Sequence, residues 1–349
     1  MGARLASLSG FELTEKLRSD LPAEAFKPRF KRGLLLFPLL AAIFGLSAAI
    51  FTLSLPWYGL LGLSLLLGMT YGSLSFLGHE TLHGSTFKAK WAQDLVGYCA
   101  FFIYCFTPTL WRVWHNQVHH VNTNVPDIDP DSYGTLHRFR KIPLAKFQFK
   151  TGVGSGNILS AFFYFYRFTY HSQIVLWLIS RKYPKEFRKL NRRRATLESL
   201  GIMAFWVALG VWAGWKGALF GIVIPMALAN AILMSYISTN HFLRPLTTID
   251  EPVDHSMSVT SPRWVDFIHL NFSYHVEHHY FPTMSPRFAP LVRRSLQKHA
   301  PDRYLAPPHW KAILWLYRTP RLYEDAETLI NPYTGKRVKI RNVEEKLRT

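Results

Sequence analysis

The sequence is poor in cysteine and in acidic residues, and it has no internal repeat or low-complexity tract. Its two cysteines, Cys99 and Cys105, lie in one apolar stretch, which argues against a disulfide framework and for buried, reduced thiols. No signal peptide is apparent, because residues 1–26 are mixed and polar and the first apolar run is too long for a signal core. Disorder is excluded as well, since 49% of the residues are hydrophobic and 15% are aromatic.

Positive charge dominates, with 41 lysines and arginines against 22 acidic residues and a net charge of +19. A chain this basic can meet nucleic acid, anionic lipid or an acidic protein. The basic residues lie between long apolar segments rather than in a soluble basic module, which favours a basic membrane face and no nucleic-acid partner.

Four apolar segments reach the roughly 20 residues that cross a bilayer core. Short breaks, Ser54-Leu55-Pro56 and Gly214-Trp215-Lys216-Gly217, separate them into two hairpins, with spans predicted at about residues 33–55, 57–77, 196–215 and 217–239. Residues 95–110 and 158–180 are also apolar but are broken by Pro108 and Arg167. We read the first as re-entrant or interfacial and the second as interfacial, with crossing left open for both.

Lysine and arginine cluster before the first and third predicted spans, whereas the two hairpin loops carry only Lys216. The positive-inside rule places such clusters in the cytoplasm. We therefore expect both termini and residues 79–195 on the cytosolic side. The expected organisation is a cytosolic segment over residues 1–30, a membrane domain over 31–300 and a basic cytosolic tail over 301–349.

Eight of the fifteen histidines fall in three tight groups, which read His79-Glu80-Thr81-Leu82-His83, His115-Asn116-Gln117-Val118-His119-His120 and His275-Val276-Glu277-His278-His279. Positions four apart on a helix share one face, so the first and third groups can each aim at one point. In the second group His120 points away from His115 on a regular helix, so a helix end or kink is needed there.

Imidazole is a good ligand for iron, zinc, copper and nickel. Eight imidazoles, or nine with His241 after the fourth predicted span, exceed what one tetrahedral zinc uses, so two metals are the economical interpretation. The remaining histidines are expected to be ordinary side chains, namely His137, His171, His255, His269, His299 and His309.

The three groups match the histidine boxes of the membrane-bound fatty acid desaturase family, which the chain resembles over about residues 30–300. The flanking sequences WHNQVHHVNTNVPDIDPD and HVEHHYFPTMSP extend the resemblance. It implies an all-α integral membrane protein, with four transmembrane helices below a cytosolic helical cap that holds a di-iron site. The implied location is a bacterial cytoplasmic membrane or the endoplasmic reticulum.

The resemblance also implies ligands, cofactor, substrate and partners. Two irons would be bound by His79, His83, His115, His119, His120, His241, His275, His278 and His279. Dioxygen would oxidise a fatty acyl lipid or acyl thioester, with electrons from a separate ferredoxin, or from a b-type cytochrome with its reductase. Asn240 would hold a metal-bound water.

Metal-ligating histidines usually donate their other N–H to a carboxylate or carbonyl. The candidates for this role are Glu80, Asp94, Asp127, Asp129, Asp131 and Glu277. A solvated acidic turn is an equally good interpretation of Asp127, Asp129 and Asp131, and Glu80 also fits the general base of a zinc protease.

Three other functions compete with acyl desaturation. The same centre could hydroxylate, epoxidise or ketolate an alkane, carotenoid or sterol. An intramembrane zinc protease would use only His79, Glu80 and His83. A metal transporter would place ionisable ligands within its spans, and the four predicted spans contain no aspartate or histidine.

Overall fold

The computed structural model describes residues 9–249 and 251–349, most of which are helical. The α-helices, numbered α1 to α18, are Gly10–Ser19, Phe30–Gly33, Leu36–Thr52, Trp57–Leu82, Lys90–Phe101, Pro108–Val113, Leu136–Lys141, Pro143–Thr151, Phe163–Ile174, Ser180–Lys182, Arg192–Ala218, Ile224–His241, Pro252–His255, Arg263–Ile268, His275–Tyr280, Ala289–His299, His309–Arg318 and Ile340–Arg348. Short 3-10 helices cover Ala23–Phe26, Phe102–Tyr104, Ile158–Phe162 and Pro286–Phe288, and π-helical turns cover Trp114–His119, Val175–Ile179 and Leu219–Val223.

Within the described residues, three helical segments are long and apolar enough to cross a membrane. They are Phe30–Thr52, Trp57–Leu82 and the 50-residue segment Arg192–His241. Large apolar side chains such as Phe37, Phe44 and Val211 are exposed along them. An exposed apolar surface of this extent is what a lipid-facing helix presents.

The long third segment reverses direction at Gly214, whose backbone (φ 66°, ψ 176°) lies outside the helical region. A Cβ added at Gly210 would lie 3.7 Å from Ile222 Cδ1, so the chain after Gly214 runs back along the residues before it. Glycine is suited to this position because side-chain-bearing residues rarely adopt a positive φ. The reversal falls within the break predicted from the sequence.

Helices α4 and α12 run side by side in the same direction, and small residues allow their close approach. A Cβ added at Gly68 would lie 2.9 Å from Leu228 Cβ and 3.0 Å from the Pro225 carbonyl oxygen. Further along, Gly72 faces Ile232, and Phe76 packs edge-on against Tyr236. Since lipid supplies no hydrophobic drive between helices, close packing of this kind is what holds membrane helices together.

The first ambiguous stretch turns back on itself. Helix α5 runs antiparallel to α4, with Ala100 beside Gly78, until Tyr104 reaches the level of Ser75. Cys105, in the left-handed region (φ 58°), then reverses the chain into α6. The second ambiguous stretch forms α9, which packs antiparallel to α12 through Thr169 and Asn230. Its interfacial position stays a prediction.

A second, separate hydrophobic core joins α1, α13, α15 and α16 and includes Leu13, Val253, Val276, Phe281 and Val292. The C-terminal segment contains a three-stranded antiparallel sheet, β1 to β3, over Leu322–Tyr323, Thr328–Ile330 and Arg337–Lys339. This small sheet departs from the all-α fold expected from the sequence. The sheet and α18 pack on the main core through Tyr323, Leu329 and Val343.

The contact between α4 and α12 gives a test of the packing. We expect Gly68→Leu to lower the free energy of unfolding by about 1–3 kcal/mol, because the added side chain meets Leu228 and the Pro225 carbonyl. Gly62→Leu on the same helix is the matched control, since a Cβ there meets nothing within 4 Å. Thermal unfolding in detergent measures both, and equal midpoints would contradict the packing described.

Candidate metal centre

All three histidine groups converge on one buried region beside the C-terminal ends of α4 and α12. His79 lies in the last turn of α4, and His83 caps that helix. His241 is the last residue of α12, and His275, His278 and His279 lie on the single short helix α15. The i, i+4 spacing therefore places the first and third groups as the sequence predicts.

The second group converges because its backbone is π-helical over Trp114–His119. The His120 amide N–H donates to the His115 carbonyl over 3.0 Å, an i→i+5 bond. Because the wider turn adds nearly one residue per revolution, residues four and five positions beyond His115 both return close to its face. This local widening is the kink that the sequence requires for His120.

Eight of the nine predicted ligands form two groups of four, whose nitrogens lie within 4.8 Å of one another in each group. The first group is His79, His83, His115 and His278, and the second is His119, His241, His275 and His279. His120 lies between the groups, with its Nε2 at 3.2 Å from His115 Nε2 and at 3.1 Å from His278 Nε2, and its ring stacked on His279. Ligation of a metal by these side chains remains a prediction.

The spacing of the nitrogens fits metal ions. Nε2 atoms approach to 3.0 Å between His79 and His115, to 2.7 Å between His241 and His275, and to 3.0 Å between His275 and His279. Two nitrogens bound to one ion at about 2.1 Å and at a right angle would be about 3 Å apart. His83 Nε2 is buried and has no hydrogen-bond partner among the described residues, as a metal ligand would.

Burial also keeps these imidazoles in the ligating form. Removal from water, reinforced by the neighbouring histidines, lowers the pKa of His115, His120, His275, His278 and His279 well below the ordinary value. The neutral ring offers a lone pair, which a metal needs, whereas the protonated ring offers none. Nine histidines at one place are therefore compatible with folding.

One ligand candidate is held by carboxylates. His119 Nδ1 is 2.9 Å from Asp129 Oδ1 and 3.6 Å from Asp131 Oδ2. Asp131 is bonded in turn to Trp114 Nε1 and to His171 Nε2. Burial alone would raise the pKa of Asp131, but these hydrogen bonds and the adjacent imidazoles hold it below its ordinary value. The two carboxylates leave Nε2 of His119 directed at the centre.

The other carboxylate candidates contact arginines rather than histidines. Glu80 pairs with Arg32 at 2.7 Å, and Arg32 also donates to the Leu270 carbonyl before the third histidine group. The fully buried Glu277 pairs with Arg293 at 3.0 Å and bonds Tyr304 and Ser258. Asp94 pairs with Arg112, which joins α5 to α6, and Asp127 faces Arg138 at 3.6 Å. These groups fix the backbone that carries the histidines.

Asn240 is fully buried next to His241, and both atoms of its amide lack a hydrogen-bond partner among the described residues. An unmet buried amide is costly, so a bound water or ion is the natural partner. This agrees with the expected role for Asn240 without testing it.

Four residues near the centre were not predicted to contribute to it. Asn124 donates to the His241 and His255 carbonyls, and Trp111 stacks on His115 with centroids 4.5 Å apart. His255, expected to be ordinary, is fully buried with its ring 5.6 Å from that of His279. His171 bonds Asp131. A lone histidine has no spacing signal, but the Asn-Thr-Asn run before the acidic turn marks Asn124.

Two apolar cavities meet at the histidines. One is lined by Phe101, Trp111, Phe168, Leu233 and Ile237, and the other by Leu270, Tyr274, Phe281 and Met284. Both also touch Phe76, His79, Phe272 and His275. An unbranched apolar ligand lying in both would therefore pass directly beside the candidate ligands.

Helices able to span a membrane, joined to a buried polyhistidine centre between apolar cavities, define a class of membrane metalloprotein. The sequence profile of the fatty acid desaturase family matches residues 55–311. The chain belongs to this family, whose members are oxidoreductases acting on acyl chains.

The curated relatives are membrane desaturases of modest identity. An sn-1 acyl-lipid omega-3 desaturase (ferredoxin) of Nostoc sp. (strain 36) is 25% identical over 85% of this chain and 84% of that enzyme. The sn-1 oleoyl-lipid 12-desaturase of a Synechocystis strain is 22% identical over 87% of both chains. The chloroplastic omega-6 fatty acid desaturase of Spinacia oleracea is 24% identical, with 77% of this chain covering 60% of that enzyme.

Two neighbouring aspartates give a matched test of the centre. We expect Asp129→Asn to weaken metal binding by about 10- to 100-fold, because His119 loses the carboxylate that orients its ring. Asp127→Asn should leave metal binding unchanged, since Asp127 faces Arg138 instead. Metal content after dialysis against a graded chelator series measures both. Equal retention by the two variants would contradict the role of Asp129.

Proposed function

We propose that this protein introduces a double bond into an acyl chain of a membrane lipid, using dioxygen at two irons bound by the nine clustered histidines. The observation that carries the proposal is the meeting of two four-histidine groups with two apolar cavities. A saturated acyl chain offers no polar group for recognition, so an apolar channel past the metals is the site it requires.

The oxidative chemistry of the relatives favours iron among the metals that imidazole binds well. The irons, when bound, would supply the reduction of dioxygen and, with it, the oxidising power needed to remove hydrogen from unactivated methylenes. The surrounding chain supports this in two ways: Phe76 and Phe272 hold the acyl chain beside His79 and His275 and exclude water, and Asp129 orients His119.

The overall reaction requires an electron donor. Two C–H bonds are replaced by one carbon–carbon double bond, dioxygen becomes two waters, and two electrons and two protons are consumed. One relative is named as a ferredoxin-dependent enzyme. Exposed residues Arg181, Lys185, Arg188 and Lys189, before α11, offer a basic surface for an acidic donor such as ferredoxin.

We also propose that Arg192–His241 crosses the membrane twice, which gives four spans with the metal centre and both termini on the cytosolic side. The reversal at Gly214 supports this, as does the contact between Phe51 and Trp212, which brings the ends of the two hairpins together. The distribution of lysine and arginine supports the orientation.

The function is tested by expression in a host of known lipid composition that contains a compatible donor. We expect a new unsaturated fatty acid in the lipids, detected by gas chromatography and mass spectrometry. His120→Ala and His279→Ala should each abolish it, because each ring lies within the centre. His137→Ala, at an exposed position, is the control and should leave the product unchanged.

Each competing function gives a different outcome. A hydroxylated or ketolated product would replace desaturation by another oxidation at the same centre. Proteolytic activity that persists in both His120→Ala and His279→Ala would support the zinc protease, which needs only His79, Glu80 and His83. One zinc and no iron in active protein would also contradict the proposal.

The topology is tested by labelling single cysteines in a background without Cys99 and Cys105. We expect Ser54→Cys and Lys216→Cys, both exposed, to react with a membrane-impermeant maleimide in intact cells. Thr334→Cys, exposed in the turn between β2 and β3, should react only after permeabilisation. Labelling of all three from one side would overturn the four-span arrangement.

A further inference from the structure

A separate cleft opens between α7, α8, α9 and the segment that leads into β1. Its lining combines apolar side chains, such as Phe139, Phe149 and Leu178, with the cationic side chains of Arg138, Arg167, Lys182 and Arg321. None of the described residues that line the cleft is acidic. A ligand for this cleft must therefore carry both negative charge and apolar surface.

Arg321 is the deepest of these cations and is only 5% exposed. It donates one hydrogen bond to the Gln148 carbonyl over 3.2 Å, and its guanidinium lies over the rings of Tyr133 and Phe163. It passes so close to Gly152 that a Cβ there would lie 1.0 Å from Arg321 Nη1. Glycine at this position is what allows the guanidinium to enter the cleft.

Two of these cations have no counter-charge in the protein. Among the described residues, neither Arg167 nor Arg321 forms an ion pair with a carboxylate, whereas Arg138 lies 3.6 Å from Asp127 and its Nε atom is buried without a hydrogen-bond partner. Burial and the charge of Arg321 lower the pKa of Arg167 to about 10. Buried cations without a counter-charge are unfavourable, so an anion in the cleft would stabilise this arrangement.

The cleft shares a wall with the metal centre. His171 lines the cleft, and its Nε2 lies 3.1 Å from Asp131, which itself contacts His119. Neighbouring residues line the two spaces. Arg167 faces the cleft, whereas Phe168 and Asp131 face the cavity beside the histidines. A group bound in the cleft is thus only a few side chains from the candidate ligands.

The rim of the cleft points to lipid. Leu178 lines it and is 48% exposed, and Phe147, next to the lining residue Gln148, is 52% exposed. Exposed apolar side chains beside buried cations suit a lipid whose charged group sits deep and one of whose hydrocarbon chains lies along this rim. A small free anion has no apolar surface with which to contact this rim.

We propose that this cleft binds the phosphate of an anionic glycerophospholipid, and that this lipid carries the acyl chain to be desaturated. Arginine recognises phosphate through charge-assisted, often bidentate, hydrogen bonds, which fits Arg167 and Arg321. The proposal rests on the proposed desaturase function and adds the class of headgroup that the enzyme selects.

The test uses the full chain in nanodiscs with its electron donor. Turnover is compared between phosphatidylglycerol and a neutral galactosyl diacylglycerol of the same acyl composition. We expect the wild-type protein to prefer phosphatidylglycerol, and Arg321→Gln to reduce the ratio of the two rates by at least about tenfold. Arg318→Gln, which removes a nearby exposed charge, is the matched control and should keep the wild-type ratio.

A second substitution separates the position of the guanidinium from its presence. Gly152→Ala should displace Arg321 and lower the ratio in the same direction as Arg321→Gln. With the guanidinium already removed, Gly152→Ala should have little further effect in the double variant. Additive losses in the double variant would show that Gly152→Ala acts through general damage to the fold.

Binding by native mass spectrometry distinguishes this inference from the function on which it rests. Retention of phosphatidylglycerol by the wild type and its loss in Arg321→Gln, without any new double bond, would contradict desaturation but not the lipid site. Equal turnover of both lipids, or a ratio unchanged by Arg321→Gln, would overturn the lipid site alone. Preferential use of an acyl thioester over both lipids would likewise overturn it.

Discussion

The convergence of neutral imidazoles in one buried region is the constraint to which the rest of the structure conforms. A protonated imidazole there would carry an unpaired charge out of water, and a misplaced one would leave a polar atom unmet. The chain therefore delivers each ring on a backbone of fixed geometry: the last turn of α4, the end of α12, the short helix α15 and a π-helical turn. The first two of these positions lie at the ends of helices long enough to span a membrane.

The carboxylates around the centre have two different structural roles: some orient a histidine ring, and others pair with arginines. Asp129 and Asp131 contact the outer nitrogen of His119, which fixes the orientation of the ring. Glu80 and Glu277 instead pair with Arg32 and Arg293, and these pairs join segments distant in the chain. A buried ion pair contributes little net stability, but removal of one partner is strongly unfavourable, so such pairs specify one arrangement of the backbone.

The sequence predicts the features that depend on local periodicity, but not those that depend on tertiary contacts between distant residues. The spacing of His79 and His83, and of His275 and His279, follows from helix geometry, and the break at Gly214 follows from its residue types. The π-helical turn was foreseen only as a need for distortion at His120. His171 and His255 carry no local signal, because tertiary contacts alone bring them to the centre, and the small sheet at Leu322–Lys339 has strands too short for a period-two pattern.

Positive charge serves two separate purposes here, which its burial distinguishes. The exposed arginines and lysines before α11 remain in contact with water, so they would act through long-range attraction and through orientation at the membrane. Arg321 is buried and acts only at contact distance. Successive methylenes of a saturated chain are chemically alike, so an enzyme can distinguish them only by their distance from a fixed point. A phosphate held at Arg321, behind the wall formed by His171 and Asp131, would provide that fixed point, and the distance to the histidines would then determine which bond is oxidised.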